Sequence, residues 1–138
     1  MKLNELMIGD WLKHYNGTPM QVTKITTEHF ACAENGGVNC WEYNNKFEPI
    51  PITPEILEKN GFNDTSFAAN LKHKYFIDTI EYQLGYYTKT NSFNVYKRGI
   101  DPFYTKDVFC RGFQNIVKYV HELQHALRLC GIDKEIVV

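Results

Sequence analysis

The sequence predicts an α+β fold. It is read as an N-terminal small antiparallel β-barrel-like (SH3-like) lobe, a short Pro-capped helix, a second antiparallel β element and a C-terminal helix packed on the sheet. Three observations lead there. Residues 1–48 form short apolar–polar runs separated by tight-turn dipeptides. "TPEILEKNGF" carries the start and stop signals of a helix. From about Arg111 to Cys130, apolar residues recur at spacings of three and four. At 138 residues the chain is one ordinary domain, with a β-rich lobe at 1–48, a connector and helix at 49–62, and a β element plus final helix at 63–138.

Each element is argued from its residues. "DWLKHY" leads into the turn "NGTP", and "MQVTKIT" begins a strand with Met20 and Val22 on one face. Ile25 is out of phase, so a bulge or a strand end is expected there. "EHFACA", the turn "ENGG" and the strand "VNCWEY" complete a hairpin, its glycines supplying the positive φ of a tight turn. Pro49 and Pro51 impose an extended approach to a helix with Thr53 as N-cap, Pro54 at its first position and Glu55 favoured by the helix dipole. Gly61 closes it and Phe62 covers its end.

"YFIDTIEYQLGYY" reads as one strand, with Ile80, Tyr82 and Leu84 on one face. "TKTNS" is a turn and "FNVYK" the return strand, with Phe93 and Val95 on one face. Gly99 and Pro102 break the stretch "RGIDPFYTKDVFC" into a turn and one short strand. In the last helix Phe113, Ile116, Val120, Leu123, Leu127 and Cys130 form the apolar stripe, and Gly131 stops it.

The composition, 43% hydrophobic and 14% aromatic, supports a core rather than disorder, and a net charge of −1 does not point to a polyanion partner. No signal-peptide pattern and no run approaching a membrane span occurs, so a soluble cytoplasmic protein is expected. Cys32, Cys40, Cys110 and Cys130 include no C-x-x-C pair. Cys32 and Cys40 flank the "ENGG" turn and can face each other. Free thiols are the expectation for this compartment.

The strongest chemical motif is "VHELQHAL", in which His121, Glu122 and His125 match H-E-x-x-H. On a helix, two histidines four apart share a face and can bind one Zn²⁺, while the glutamate acts as general base. A third ligand is not identifiable. Arg128 and Gly131 stand where a metzincin has its glycine and third histidine. Glu135 lies past the expected helix end, and Cys110 lacks companion motifs. With Val120 at the centre of the apolar face, the two histidines fall roughly 100–140° away, on a flank shared with Gln114, Lys118 and Arg128. They are therefore expected to be solvated or to contact a partner.

"KYVHELQHALRLCGIDKEI", "EPIPITPEILEKNGF" and "LNELMIGDWL" together resemble a family of small uncharacterised proteins from genomes, prophages and mobile elements of Bacteroidetes. In that family the helix typically reads V-H-Q-L-Q-N and the connector P-I-P-L-T-x-x-x-L-x-x-x-G-F. Glu122 thus stands at a family Gln and His125 at a family Asn. The family has no established activity, so the resemblance implies lineage and not chemistry.

His14, His29 and His73 are scattered, and Glu55/Glu58 and Asp133/Glu135 read as helix-end or solvated charge. No phosphate-cradling loop or nucleophile elbow is present. Four stretches, "KHKYF", "YYTK", "VYKRG" and "FYTK", interleave aromatic and basic residues. They fit either single-strand nucleic-acid stacking or a half-buried sheet with tyrosine bodies in the core. The expected function is a non-catalytic binding or accessory protein of a phage or mobile element, with a protein or nucleic-acid partner and no cofactor. A zinc-dependent hydrolase built on His121, His125 and Glu122 is the alternative, and a single-strand nucleic-acid-binding protein the second.

Overall fold

The computed structural model describes residues 3–34, 37, 38, 40, 46–64, 74–79, 82–98, 105–107 and 116–138, without side-chain detail at 74, 96–98 and 105–107. Two antiparallel sheets and two helices build an α+β fold. After a 3-10 turn at Leu3–Glu5 come β1 (Trp11–His14), β2 (Pro19–Ile25), β3 (Phe30–Ala33) and β4 (Phe47–Pro49), in the spatial order β3-β2-β1-β4. α1 (Pro54–Lys59) is next, then β5 (Asn63–Asp64), β6 (Lys74–Asp78), β7 (Tyr82–Tyr87), β8 (Ser92–Arg98) and β9 (Thr105–Asp107) in sequential order. α2 (Val120–Leu129) comes last. Among the described residues the first sheet does not close into a barrel. Among the described residues no helix is long and apolar enough to cross a membrane.

Strand alternation in β1 serves two cores at once. Leu12 points into a small cluster with Leu6, Val22, Phe30, Cys32 and Phe47. Trp11 points the other way, into the main cluster with Leu57, Leu84, Tyr86, Val120, Leu123 and Leu127. Successive side chains of a strand face opposite sides, so one short strand joins both lobes. The bulge expected near Ile25 is present as a register shift between Val22 and Lys24.

α1 obeys its sequence signals. The Thr53 hydroxyl accepts from the Ile56 amide at 3.3 Å, Pro54 opens the helix, and Gly61 takes φ +86°. Phe62 is buried over the helix end.

Two expectations need correction. "YFIDTIEYQLGYY" is not one strand but a hairpin, β6 and β7, whose turn is closed by Thr79: its amide and hydroxyl both donate to the Tyr82 carbonyl at 2.9 Å. A hydroxyl that satisfies turn backbone groups competes with the extended ladder. Ile80 and the residues around Pro102 lie outside the described residues, as does most of "VNCWEY".

The last helix begins at Val120, about nine residues later than its periodicity suggests. Residues 116–119 are extended and splice onto other elements. Ile116 bridges Ser92 and Tyr119 bridges Pro51. The Val117 amide donates to the Asn91 carbonyl at 2.7 Å, and the Ile52 amide to the Lys118 carbonyl at 3.0 Å. Ile116 is consequently exposed instead of on the apolar stripe. Phe113 and Gln114 lie outside the described residues.

The segment after α2 is held by two buried amide side chains. Gln124 Nε2 donates to the Lys134 carbonyl at 2.9 Å, and its Oε1 accepts from the Ile136 amide at 2.7 Å. Asn60 Nδ2 donates to the Val137 carbonyl at 2.7 Å and its Oδ1 accepts from the Val137 amide at 2.8 Å. Trp11 Nε1 donates to the Ile136 carbonyl at 2.7 Å. These groups stand in for a partner strand, satisfying backbone that would otherwise be buried unpaired. Ile132 and Ile136 then fill the core beneath them.

Trp11→Phe keeps an aromatic ring in the core but orphans the buried Ile136 carbonyl. It is expected to cost about 1–3 kcal/mol in urea unfolding. Lys134→Ala, whose carbonyl is retained, is expected to stay within about 0.5 kcal/mol of the parent.

Candidate functional site

The H-E-x-x-H residues do lie on a helix, α2, where His121 is buried and Glu122 and His125 are half-buried. Glu122 occupies the third helical position. Its Oε2 accepts from the Lys118 amide at 2.8 Å and from the Tyr119 amide at 3.1 Å. This is the glutamate half of a capping box, which satisfies amides that the helix start leaves without intrahelical partners. The carboxylate that a zinc peptidase would use on water is here holding the helix start.

His125 meets a residue that sequence reasoning missed. Its Nε2–H donates to both carboxylate oxygens of Asp10, at 2.9 Å each. Asp10 is fully buried. Its Oδ2 also accepts from the Met7 amide at 2.7 Å, and Arg128 Nη1 lies 3.8 Å from Oδ1. Arg128 reaches it from one turn further along α2 than His125.

The chain brings Asp10 into position through Gly9, which has φ +93°. Its amide donates to the Val22 carbonyl at 2.7 Å, and the Val22 amide returns to the Asp10 carbonyl at 2.8 Å. A Cβ at Gly9 would stand 3.0 Å from Arg128 Nη2. The only hint in the sequence was "GDW", a glycine–aspartate turn just before a strand.

Both histidines were expected to be solvated or to contact a partner; His121 is instead buried and His125 half-buried. His121 is 5% exposed, stacked on Tyr119 at 5.9 Å between centroids and edge-on to His125 at 5.7 Å. The helical wheel placed them correctly on the flank. It could not show that Met7, Gly9 and Asp10 meet that flank at His125 and Arg128. Burial lowers the His121 pKa, while the Asp10 and Glu122 carboxylates pull it upward less strongly. Its Nδ1 has no hydrogen-bond partner among the described residues.

Among the described residues no three His, Cys, Asp or Glu side chains converge to hold a metal ion. His125 has committed Nε2 to Asp10, and Glu122 is committed to the cap. Glu135 and Asp133 are exposed, as are Glu55 and Glu58. Cys110 and His73 lie outside the described residues. His14 is buried against Tyr15 and Phe47, and His29 is exposed on a turn.

Of the basic–aromatic stretches, Tyr75 and Tyr86 are buried in the main core, and Phe76 and Tyr87 are half-buried. The Tyr86 hydroxyl, its pKa pushed up to about 12 by burial, remains a donor and gives its proton to the Val117 carbonyl at 2.6 Å. Tyr75 and Tyr86 do not present their faces to solvent. Residues 72, 73, 103 and 104 lie outside the described residues. No protein-family model, curated protein or solved structure matches this chain.

Glu122→Ala is expected to cost about 1 kcal/mol through loss of the cap, whereas Glu122→Gln, which keeps an acceptor, should be close to neutral in urea unfolding. His125→Ala removes the ring donor from a buried carboxylate and should cost about 2–3 kcal/mol. The double variant with Asp10→Asn should cost less than the sum of the two single changes.

His121 gives a pH signature. Its folded pKa lies below the ordinary value of 6.5, so on acidification the unfolded chain takes up the proton first. Its contribution is therefore complete above about pH 6.5 and is lost as pH falls toward the depressed folded value. Subtracting the stability–pH curve of His121→Leu from that of the parent should isolate this slope.

Proposed function

We propose that this chain is a non-catalytic binding or accessory protein, cytoplasmic and belonging to a phage or mobile element, whose partner is a protein or a nucleic acid. The observation that carries the non-catalytic part is the use made of the motif. Glu122 caps its own helix and His125 donates to a buried carboxylate of the N-terminal turn, so two of the three motif side chains are engaged in structural contacts. The family resemblance supports the same reading. A Gln at position 122 would still accept from the cap amides, and an Asn at 125, though shorter than His, keeps a donor on the same side of the helix. A zinc-hydrolase site would survive neither replacement.

A binding role is supported by the turn just before Gly9, where Met7 and Ile8 are 43% and 63% exposed. The Met7 sulfur lies 3.9 Å from Arg128 Nη1, so apolar and cationic groups adjoin there. Aromatic, methionine and arginine side chains are favoured at interfaces.

Two measurements test this. Untagged protein dialysed against zinc is expected to retain far less than one equivalent and to hydrolyse no peptide. Stoichiometric zinc that disappears in His121→Ala/His125→Ala, with turnover abolished in Glu122→Gln, would sink the proposal. Crosslinking in the native cell should recover a discrete partner whose yield drops in Ile8→Glu. Salt-sensitive binding of labelled oligonucleotides identifies that partner as nucleic acid.

A further inference from the structure

We propose that Cys32 and Cys40 form a reversible thiol–disulfide pair, a redox modification site on the edge of the four-stranded sheet. Among the described residues β3 ends the strand order, and Cys40 pairs with Cys32 in an antiparallel bridge. The pairing is reciprocal: the Cys32 amide donates to the Cys40 carbonyl at 3.1 Å, and the Cys40 amide to the Cys32 carbonyl at 2.6 Å. Residues that exchange both bonds have Cα atoms about 5.5 Å apart. That falls within the roughly 4.4–6.8 Å span of disulfides. Directly opposed residues project to the same face, and Cys40 packs against the small core that contains Cys32.

The same geometry makes the bond labile. Opposed Cβ atoms sit about 5 Å apart, whereas a relaxed disulfide needs about 3.8 Å, so closing it draws the strands out of their ideal ladder. A strained cross-link has a more oxidising potential and suits a switch better than a permanent staple.

The two thiols have unequal roles. Cys32 is fully buried, and its pKa is pushed up to about 12, by burial first and by Cys40 second. Cys40 is half-buried and is the end that an oxidant meets. With a hydroperoxide as oxidant, the Cys40 thiolate attacks the O–O bond and becomes a sulfenic acid. Hydroxide, or alkoxide from an organic peroxide, departs and is protonated. The Cys32 sulfur then attacks the Cys40 sulfur, its proton leaving with the displaced hydroxide as water. Two thiols and one hydrogen peroxide thus yield one disulfide and two waters. A dithiol reductant reverses the bond and is itself oxidised. Cys130 belongs to the other core, at the end of α2, away from this pair.

The test uses the whole chain. Native protein treated with about one equivalent of hydrogen peroxide is expected to lose the mass of two hydrogens and gain no oxygen. Peptide mapping without reductant should place the bond between Cys32 and Cys40, and dithiothreitol should restore the original mass. The same product is expected in Cys110→Ser/Cys130→Ser and not in Cys40→Ser. Sulfenic or higher oxidation without a cross-link, a bond involving Cys110 or Cys130, or cross-linking only in denaturant would each overturn the proposal. Because the deciding measurement is made on the parent protein, it stands even if a variant fails to fold.

Discussion

The carboxylate of Asp10 is the constraint around which the molecule is arranged. A fully buried charge is tolerated only when its oxygens are occupied by donors. Here the donors come from two places: the Met7 amide in its own turn, and His125 from α2, 115 residues away, with Arg128 close by. Separating the N-terminal turn from the last helix therefore breaks the contacts of Asp10 with His125 and Arg128. The next residue, Trp11, extends the same join by donating to the Ile136 carbonyl. Leu12 then returns the strand to its own sheet.

Once α2 is fixed by that contact, each of its faces has a defined load. Val120, Leu123 and Leu127 enter the main core. Gln124 holds the segment beyond the helix, and Asn60 at the end of α1 holds the next residue of it. Glu122 secures the first turn. A pattern that is a metal site in one context is a set of structural contacts in another. The reason is shared spacing: residues four apart on a helix align on one face, whether that face meets a cation or a carboxylate.

Elements governed by local chemistry were legible from the residues. Thr53, Pro54 and Gly61 act within α1 itself, and the misphased Ile25 revealed a bulge without reference to any other strand. The positions misjudged were those whose conformation is set from a distance. Residues 116–119 have helical periodicity but are drawn into extended pairing with residues 50–52 and 91–92. The stretch from Tyr75 to Tyr87 alternates like one strand, yet Thr79 turns it into two. The candidate site divides in the same way. The spacing of His121, Glu122 and His125 could be read directly, and the helix that carries them was correctly expected. Asp10 could not be found, because nothing in a one-dimensional pattern links position 10 to position 125.

By itself the sequence determined the α+β class, the caps of α1, the apolar stripe of α2 and the facing positions of Cys32 and Cys40. All of these depend on residues within one element or one turn. Only the tertiary structure decided what the polar flank of α2 does. Contact with Met7 and Asp10 turned the expected flank at His125 and Arg128 into a join, and burial changes the energetics of the polar groups it covers. In water, His121, Glu122 and His125 would be three independent side chains. Beneath the N-terminal turn, His125 is bound to Asp10, His121 is desolvated and Glu122 holds the helix start.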